Sequence, residues 1–593
     1  MSRARYFRDE LSFLKEQGRE FCEVHPQLSR FLDSKNTDPD IERLLEGFAF
    51  LTGRLREKVE DEFPELTHSI INMLWPNYLR PLPSMTIMQF APSQKQSITE
   101  KQTVKKGVQV AANQAIEGTL VHFTTCRDVD ILPLKKVAAH ASHSRDTSVI
   151  ELQFNVLVER PIEDLNIQNL RFFLNADPYS SQMLYLWLSH YLQSIEVVFD
   201  DDSLAPIRLP KDCLRHVGFS ADDGILPYPK NVYEGYRIIQ EFLVYPEAFH
   251  FFELVGLAQL KSGHYVPSFK LHMTFSKTLP ADVKVNNDAF ELYCTPAINL
   301  FSHDADPVNL DGKSTEYKIR PSGRHSTHYE VFNVEKVQGW LASGNGRSRG
   351  ESRVYAPFES FQHDIERSQD RRSLYYRSRV KDSIRGDGFD HFMSFIRSDE
   401  SLNVSLTEAV SIDLICTNRN LPLALGRGDI ASKTDSTPAF ATFSNITEPS
   451  APLRPALDGS LLWTLISNLS LNYLSLLSKD ALCSVLRAYD FRALADRQAE
   501  RIANQRLKGI LDIQTSPIEK IFKGLPVRGL KSTISLQADC FHSEGDLYLF
   551  GTVLSHFFAL YASINSFHEL VIINAENKEE YRWKNRTGLQ PLI

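Results

Sequence analysis

Cysteine is scarce in this sequence and badly placed for a disulfide framework or a structural zinc site. The seven cysteines, at 22, 126, 213, 294, 416, 483 and 540, are odd in number, widely spaced and free of any CxxC pair. A reducing compartment is therefore expected. A surplus of one charge is missing too: 66 Lys and Arg stand against 74 Asp and Glu, a formal net charge of -8. That balance gives no electrostatic basis for nucleic acid or an anionic membrane as the main partner. There is no GxxxxGK[ST] phosphate loop and no repeat of fixed period. The glycine-rich GNGRSRG lacks the preceding apolar strand of a dinucleotide fold, and its GxSxG around Ser348 lacks the strand and helix of a nucleophile elbow. The first residues, MSRARYFRDELSF, have no apolar core, so a secretory signal is not expected.

Long hydrophobic runs are also few. Leu547 to His568 has no Asp, Glu, Lys or Arg, yet Ser555, His556, Ser563, Asn565 and Ser566 would be costly in hydrocarbon. It reads as a buried core helix, with Gly551 marking a break between a strand and the helix. No membrane insertion is expected, and the chain reads as soluble and cytoplasmic.

Groups able to do chemistry are scattered. Cys22 with His25, His122 with Cys126, Cys540 with His542, His140 with His143 and His325 with His328 are pairs without a second pair to complete a tetrahedral set. His140 and His143 read as part of a polar loop, and His250 as a histidine satisfied within an aromatic cluster. Asp200, Asp201 and Asp202, and Asp222 with Asp223, are adjacent acids of the kind that mark solvated turns. No catalytic residue, cofactor or metal site is expected. A cytoplasmic carbohydrate-active hydrolase or a self-contained ligand-binding protein remain the alternatives; two converging carboxylates in a cleft would favour the first.

What the sequence does have is a patterned N-terminal region. Asp38 can cap a helix with Pro39 at its first position. Ile41, Leu44, Leu45, Phe48, Leu51, Leu55 and Val59 then recur at helical spacing among charged residues. Pro64 ends that helix, and Pro76, Pro81 and Pro83 lead into a strand from Met85. Alternating runs such as SMTIMQF, TVKKGVQVAA and VIELQFNVLV predict β structure, and Asp177 with Pro178 starts an inserted helix before IEVVF. The stretch from Gly224 to Leu257 reads as loop-rich. Ser343 to Arg353 and Arg367 to Arg385 are strongly basic and read as exposed loops or a mobile insertion. Thr447 to Gly459 reads as an ordered linker, followed by helices, a strand, the apolar helix and HELVIINA as a further strand.

The expected fold is α+β and multidomain. It comprises a helical arm over 1–83, a β-rich domain with an inserted helix over 84–280, a second β-rich domain with exposed basic loops over 281–446, and a mixed α/β domain over 447–593.

The order of blocks is itself informative. YFRDELSFLKEQGREF, DPDIERLLEGFAFLTGRL, DEFPELTHSIINMLWPNYLRPLPSM, LPYPKNVYEGYRIIQEFLVYPEAFHFFEL, LICTNRNLPL and the closing YRWKNRTGLQPLI follow one another as in a known family. The chain resembles TssF (VasA/ImpG), a baseplate component of the bacterial type VI secretion system, over essentially its whole length. The resemblance implies a structural role in a contractile injection system built like a phage tail. Two TssF-like chains would join one TssG in a wedge that recruits TssK, and six wedges with TssE would surround the VgrG spike hub. It also implies that Ile41, Leu44, Phe48, Leu51, Leu55 and Val59 face an intermolecular helical bundle, with a second copy of the chain among the partners.

Overall fold

In the computed structural model of the chain, the residues described are 7, 11–14, 43–52, 71–72, 75–93, 98–201, 203–228, 235–310, 314–341, 351–358, 374–383, 388–397, 408–455, 478–522, 525–562 and 566–588. The chain divides into two compact units: Met1–Met73 with Leu457–Ile466, and Leu74–Ala456 with Ser467–Ile593. In the first, residues 43–52 are helical. LLWTLISNLSLNYLSLL, expected as a helix, lies outside the described residues.

The second unit is built on sheets whose strands come from distant parts of the sequence. One antiparallel sheet orders Ala441–Asn445, Met85–Pro92, Cys294–Ile298, His122–Thr125 and Gln109–Ala111. Met85–Pro92 lies between two neighbours, and its first four residues are buried on both faces, which suits the run MTIM. Thr447 and Ser450 carry on beside it: the Thr447 hydroxyl accepts from the Ile87 N–H at 2.8 Å and that of Ser450 from the Met85 N–H at 2.9 Å. The segment expected as an ordered linker is held by these bonds and, further on, by the pairing of Leu453 with Leu82 and of Arg454 with Glu330.

A second sheet runs Ile207–Leu209, Leu192–Phe199, Ser268–Phe275, Ser148–Val156 and Leu134–His143. Its two-residue alternation aligns apolar rows across the strands: Met273 stands opposite Ile150 and Ile195, Leu271 opposite Leu152 and Val197, and Phe269 opposite Phe154 and Phe199. Phe154 and Phe269 stack with centroids 5.2 Å apart. The inserted helix α1, Pro178–Leu186, begins as expected. Asp177 accepts from the Ser180 N–H at 3.0 Å, and proline occupies the first turn. Residues 301–417 form two facing sheets around a core that includes Val337, Val410, Ile412, Leu414 and Met393.

Four departures from the sequence reading are structural. The stretch 224–257 is not mainly loop: it contains helix α2, Gly235–Val244, in which all ten residues are buried. The basic stretches are loops only in part. Glu351–Val354 pairs with Glu330–Leu341, and Leu374–Asp382 pairs with Phe389–Arg397 along nine positions, burying Tyr375 and Tyr376. Alternation of Tyr376, Ser378 and Val380 on a strand outweighs the charge between them. His140 and His143 are exposed residues of the strand Leu134–His143, not part of a loop.

The fourth departure concerns Gly551. After α3 (Lys479–Tyr489), α4 (Phe491–Ala495) and α5 (Arg497–Lys508), the chain makes a hairpin of Ile510–Phe522 and Leu525–Leu536. Helix α6, Glu544–Tyr561, then crosses over to Phe567–Asn574, parallel to the second hairpin strand. Gly551 sits inside α6 and breaks nothing. A Cβ there would stand 2.4 Å from Trp583 Cη2 and 2.6 Å from Ile572 Cδ1, so the glycine is where the helix meets the sheet most closely. Gly545 does the same against α1, where a Cβ would lie 2.0 Å from the Gln182 carbonyl oxygen. No described helix is long and apolar enough to cross a membrane; α6 is buried against α1, α2 and the sheet.

Candidate interaction surface

The N-terminal stripe is the first candidate. Within the helical segment 43–52, Ala49 is buried and Leu45 and Thr52 are half-buried. Leu44, Phe48 and Leu51 lie at steps of four and three and are 73%, 53% and 59% exposed, with Phe50 beside them. Fully burying a leucine or phenylalanine is worth about 1.5–3 kcal/mol, so three exposed on one helix face are a costly surface to leave in water. Ile41, Leu55 and Val59 lie outside the described residues.

The chain that follows this unit enters the second through a cluster of rings. Trp75 lies 4.3 Å from Tyr489 and 5.1 Å from Tyr236, which are themselves 4.8 Å apart, and Tyr78 lies 5.0 Å from Phe491. Pro76 starts the short 3-10 turn Pro76–Leu79 that presents Tyr78. Within the second unit, the cluster thereby ties residues 75–79 to α2, α3 and α4.

Beneath it is a charged pair. Arg237 and Glu241, one turn apart on α2 and almost inaccessible, meet at 3.0 Å. Glu241 also accepts from the N–H groups of Ile225 and Leu226 at 2.9 and 3.1 Å, and Arg237 donates to the Ser220 carbonyl at 2.8 Å. Nearby, Arg127 donates to the carbonyls of Asp223 and Ala248 and faces the Phe251 ring at 5.2 Å. Burial lowers its guanidinium to about 10, so it stays charged at neutral pH. These groups are sealed from water, which suits a role in holding α2 to the segments packed against it. The i, i+4 spacing in YRIIQEFLV was a signal for the Arg237–Glu241 pair; nothing in the sequence pointed to Arg127.

The residues weighed for chemistry do not converge. Asp222 is exposed on the turn Ala221–Asp223, while the Asp223 carboxylate accepts from the Gly218 N–H and the Ser220 hydroxyl. Asp200 accepts from the Ser268 hydroxyl and Asp201 pairs with His264, so each is taken up by a separate partner. His325 and His328 stack at 5.0 Å in a short turn, and His328 shares a hydrogen bond with Thr119. His250 is buried beside Tyr185, and burial lowers its ring to about 4. Burial pushes the Cys126 thiol up to about 12, which makes it a poor nucleophile. Ser348, Cys22 and His25 lie outside the described residues. Among the described residues, no group of three or more His, Cys, Asp or Glu is placed to hold a metal.

Comparison with known proteins is consistent along the whole chain. The family described as "Type VI secretion system, TssF" matches residues 2–590. The type VI secretion system component TssF1 of Pseudomonas aeruginosa is 26% identical, with 99% of this chain and 98% of that protein aligned. A chain in the cryo-electron microscopy structure of the type VI secretion system TssK–TssF–TssG baseplate subcomplex superposes with a TM-score of 0.75 at 30% identity, covering 92% of this chain and 98% of that one. A chain of the baseplate complex from the type VI secretion system gives a TM-score of 0.65 at 26% identity over the full length of both. Matched by the family model over residues 2–590, this chain belongs to the TssF family of type VI secretion system baseplate subunits.

Proposed function

We propose that the chain is a wedge subunit whose N-terminal helical stripe docks into an intermolecular helical bundle with a TssG-type subunit and a second copy of itself, two to one. TssK would then be recruited to the wedge, and TssE and a VgrG-type spike hub would contact it in the closed baseplate. The work takes place on the cytoplasmic side, with membrane docking only through the assembled complex. Ile41, Leu44, Phe48, Leu51, Leu55 and Val59 form the proposed contact. The observation that carries this reading is the exposure of Leu44, Phe48 and Leu51 together on one helix face.

The test is co-expression of the chain with its TssG-type partner. Phe48→Glu places a charge where the bundle would be dry, so it should abolish recovery of the complex. The protease resistance of residues 478–588 should survive, because the substitution lies in the other compact unit. Normal stoichiometry with the mutant would mean that the stripe is dispensable for assembly.

A further inference from the structure

Arg586 is a charged group in an unusual setting. It lies in the short strand Arg586–Thr587, opposite His568 in the ladder, and its side chain runs in under α6. Its Nε donates to the Ser555 hydroxyl at 3.2 Å. Other enclosed arginines have clear partners: Arg237 has Glu241, Arg506 has Asp546 at 3.1 Å, Arg454 has Glu330 at 3.0 Å, and Arg127 has two carbonyls and a ring. Beyond the bond to Ser555, Arg586 has no hydrogen bond, ion pair or aromatic face among the described residues.

Its surroundings supply imidazoles and the tyrosines Tyr185 and Tyr548, and no acid. His556 follows Ser555 on α6, its ring stacked on Phe219 at 4.0 Å and 11°. His216, on the strand Leu214–Val217, shares a 2.6 Å hydrogen bond with the Tyr185 hydroxyl, leaving its other ring nitrogen for a second partner. Burial lowers Arg586 to about 10, and burial together with Arg586 lowers both His216 and His556. No carboxylate contributes to the electrostatics of any of these three groups. His216, His556 and Arg586 are each half-buried, so none of the three is sealed from solvent.

We propose that the half-buried cluster of Arg586, His216 and His556, held by α6, the strand Leu214–Val217 and the closing strand Arg586–Thr587, is an oxyanion-binding site. The free end of the Arg586 guanidinium supplies a planar donor fork, and a hydroxyl and two imidazoles lie beside it. A bound phosphate or carboxylate would supply the missing counter-charge and allow the imidazoles to take up protons. Two sources share this chemistry: a free phosphate, or a carboxylate side chain of an assembly partner. The inference is independent of the docking of the N-terminal stripe.

The experiment uses the full chain alone, at constant ionic strength set with sodium chloride. Calorimetric titration with inorganic phosphate and, separately, with acetate is paired with NMR titration of the His216 and His556 rings. Saturable binding of either anion is expected, with both imidazole midpoints moving upward. Phosphate as the tighter ligand points to a free anion, and acetate as the tighter one to a partner's carboxylate. Arg586→Lys, which keeps the charge and loses the fork, should weaken binding by ~10-fold or more. Arg586→Gln should abolish it. No saturable heat and unmoved histidine midpoints with both anions would overturn the proposal, and that readout needs no variant.

Discussion

Glu241 shows how much a single buried carboxylate holds. It satisfies a guanidinium and two backbone N–H groups within one turn of α2. Glu241→Ala would leave Arg237 buried without its counter-charge, and removing one partner of such a pair typically costs about 3–5 kcal/mol. Urea denaturation should show a loss of that order. Replacing both residues, Arg237→Met with Glu241→Leu, should cost clearly less, because no uncompensated charge remains. A second expectation concerns pH. Burial lowers the imidazoles of His250, His391 and His568 to about 4, below the ordinary value near 6.5. A lowered folded pKa favours the neutral ring in the folded state, so this contribution is complete above the unfolded value. It is lost as pH falls from about 6.5 toward about 4. The urea midpoint should fall across that window, and His250→Gln should make the decline shallower. A midpoint unchanged down to pH 4.5 would contradict the burial of these rings.

At the scale of elements, α6 is the clearest case of contact overriding local preference. Alanine is a better helix former than glycine by about 1 kcal/mol, so Gly551→Ala should stabilise an isolated helix. In the folded chain the added methyl meets Trp583 and Ile572 well inside contact distance. The net result should be destabilisation of about 1–3 kcal/mol, measured by thermal or chemical unfolding. Pairing the change with Trp583→Phe should recover part of that loss, since the nearest clashing atoms belong to the indole. A Gly551→Ala protein as stable as the parent would show that α6 can move away from the sheet. The hairpin Leu374–Asp382 with Phe389–Arg397 carries a different expectation. Its ladder of nine paired positions should protect the amides of Tyr375 to Val380 in hydrogen exchange, despite the surrounding arginines.

For the whole molecule, sheet connectivity is decisive. The sheet around Met85–Pro92 takes its neighbours from Cys294–Ile298 and Ala441–Asn445, so sequence segments on either side of a division near 280 share one ladder. A fragment of residues 84–280 would expose both edges of that central strand. Expressed alone, it should show no cooperative unfolding transition, whereas a chain spanning 74–593 should. Such long-range pairing also predicts slow folding relative to helical proteins of similar size.

The residues alone determined much of this protein. Asp177 with Pro178 specified the start of α1, because a capping carboxylate and a fixed φ act within one turn. Two-residue alternation specified Ser148–Val156, because one face of that strand packs toward a core. The ordered blocks carried the family, and the 3.6-residue spacing of Leu44, Phe48 and Leu51 specified the helical segment 43–52. Tertiary structure decided what depends on neighbours far away in the chain. Gly551 reads as a helix breaker until Trp583 is seen to pack against it. The aromatic stretch before Leu257 reads as loop until α2 is seen enclosed on every side, which satisfies its buried Arg237 and Glu241. Arg586 reads as one more basic residue in YRWKNRT. Only the fold turns it beneath α6 beside two histidines and no acid, because burial and electrostatic environment are properties of what surrounds a side chain and not of its place in the sequence.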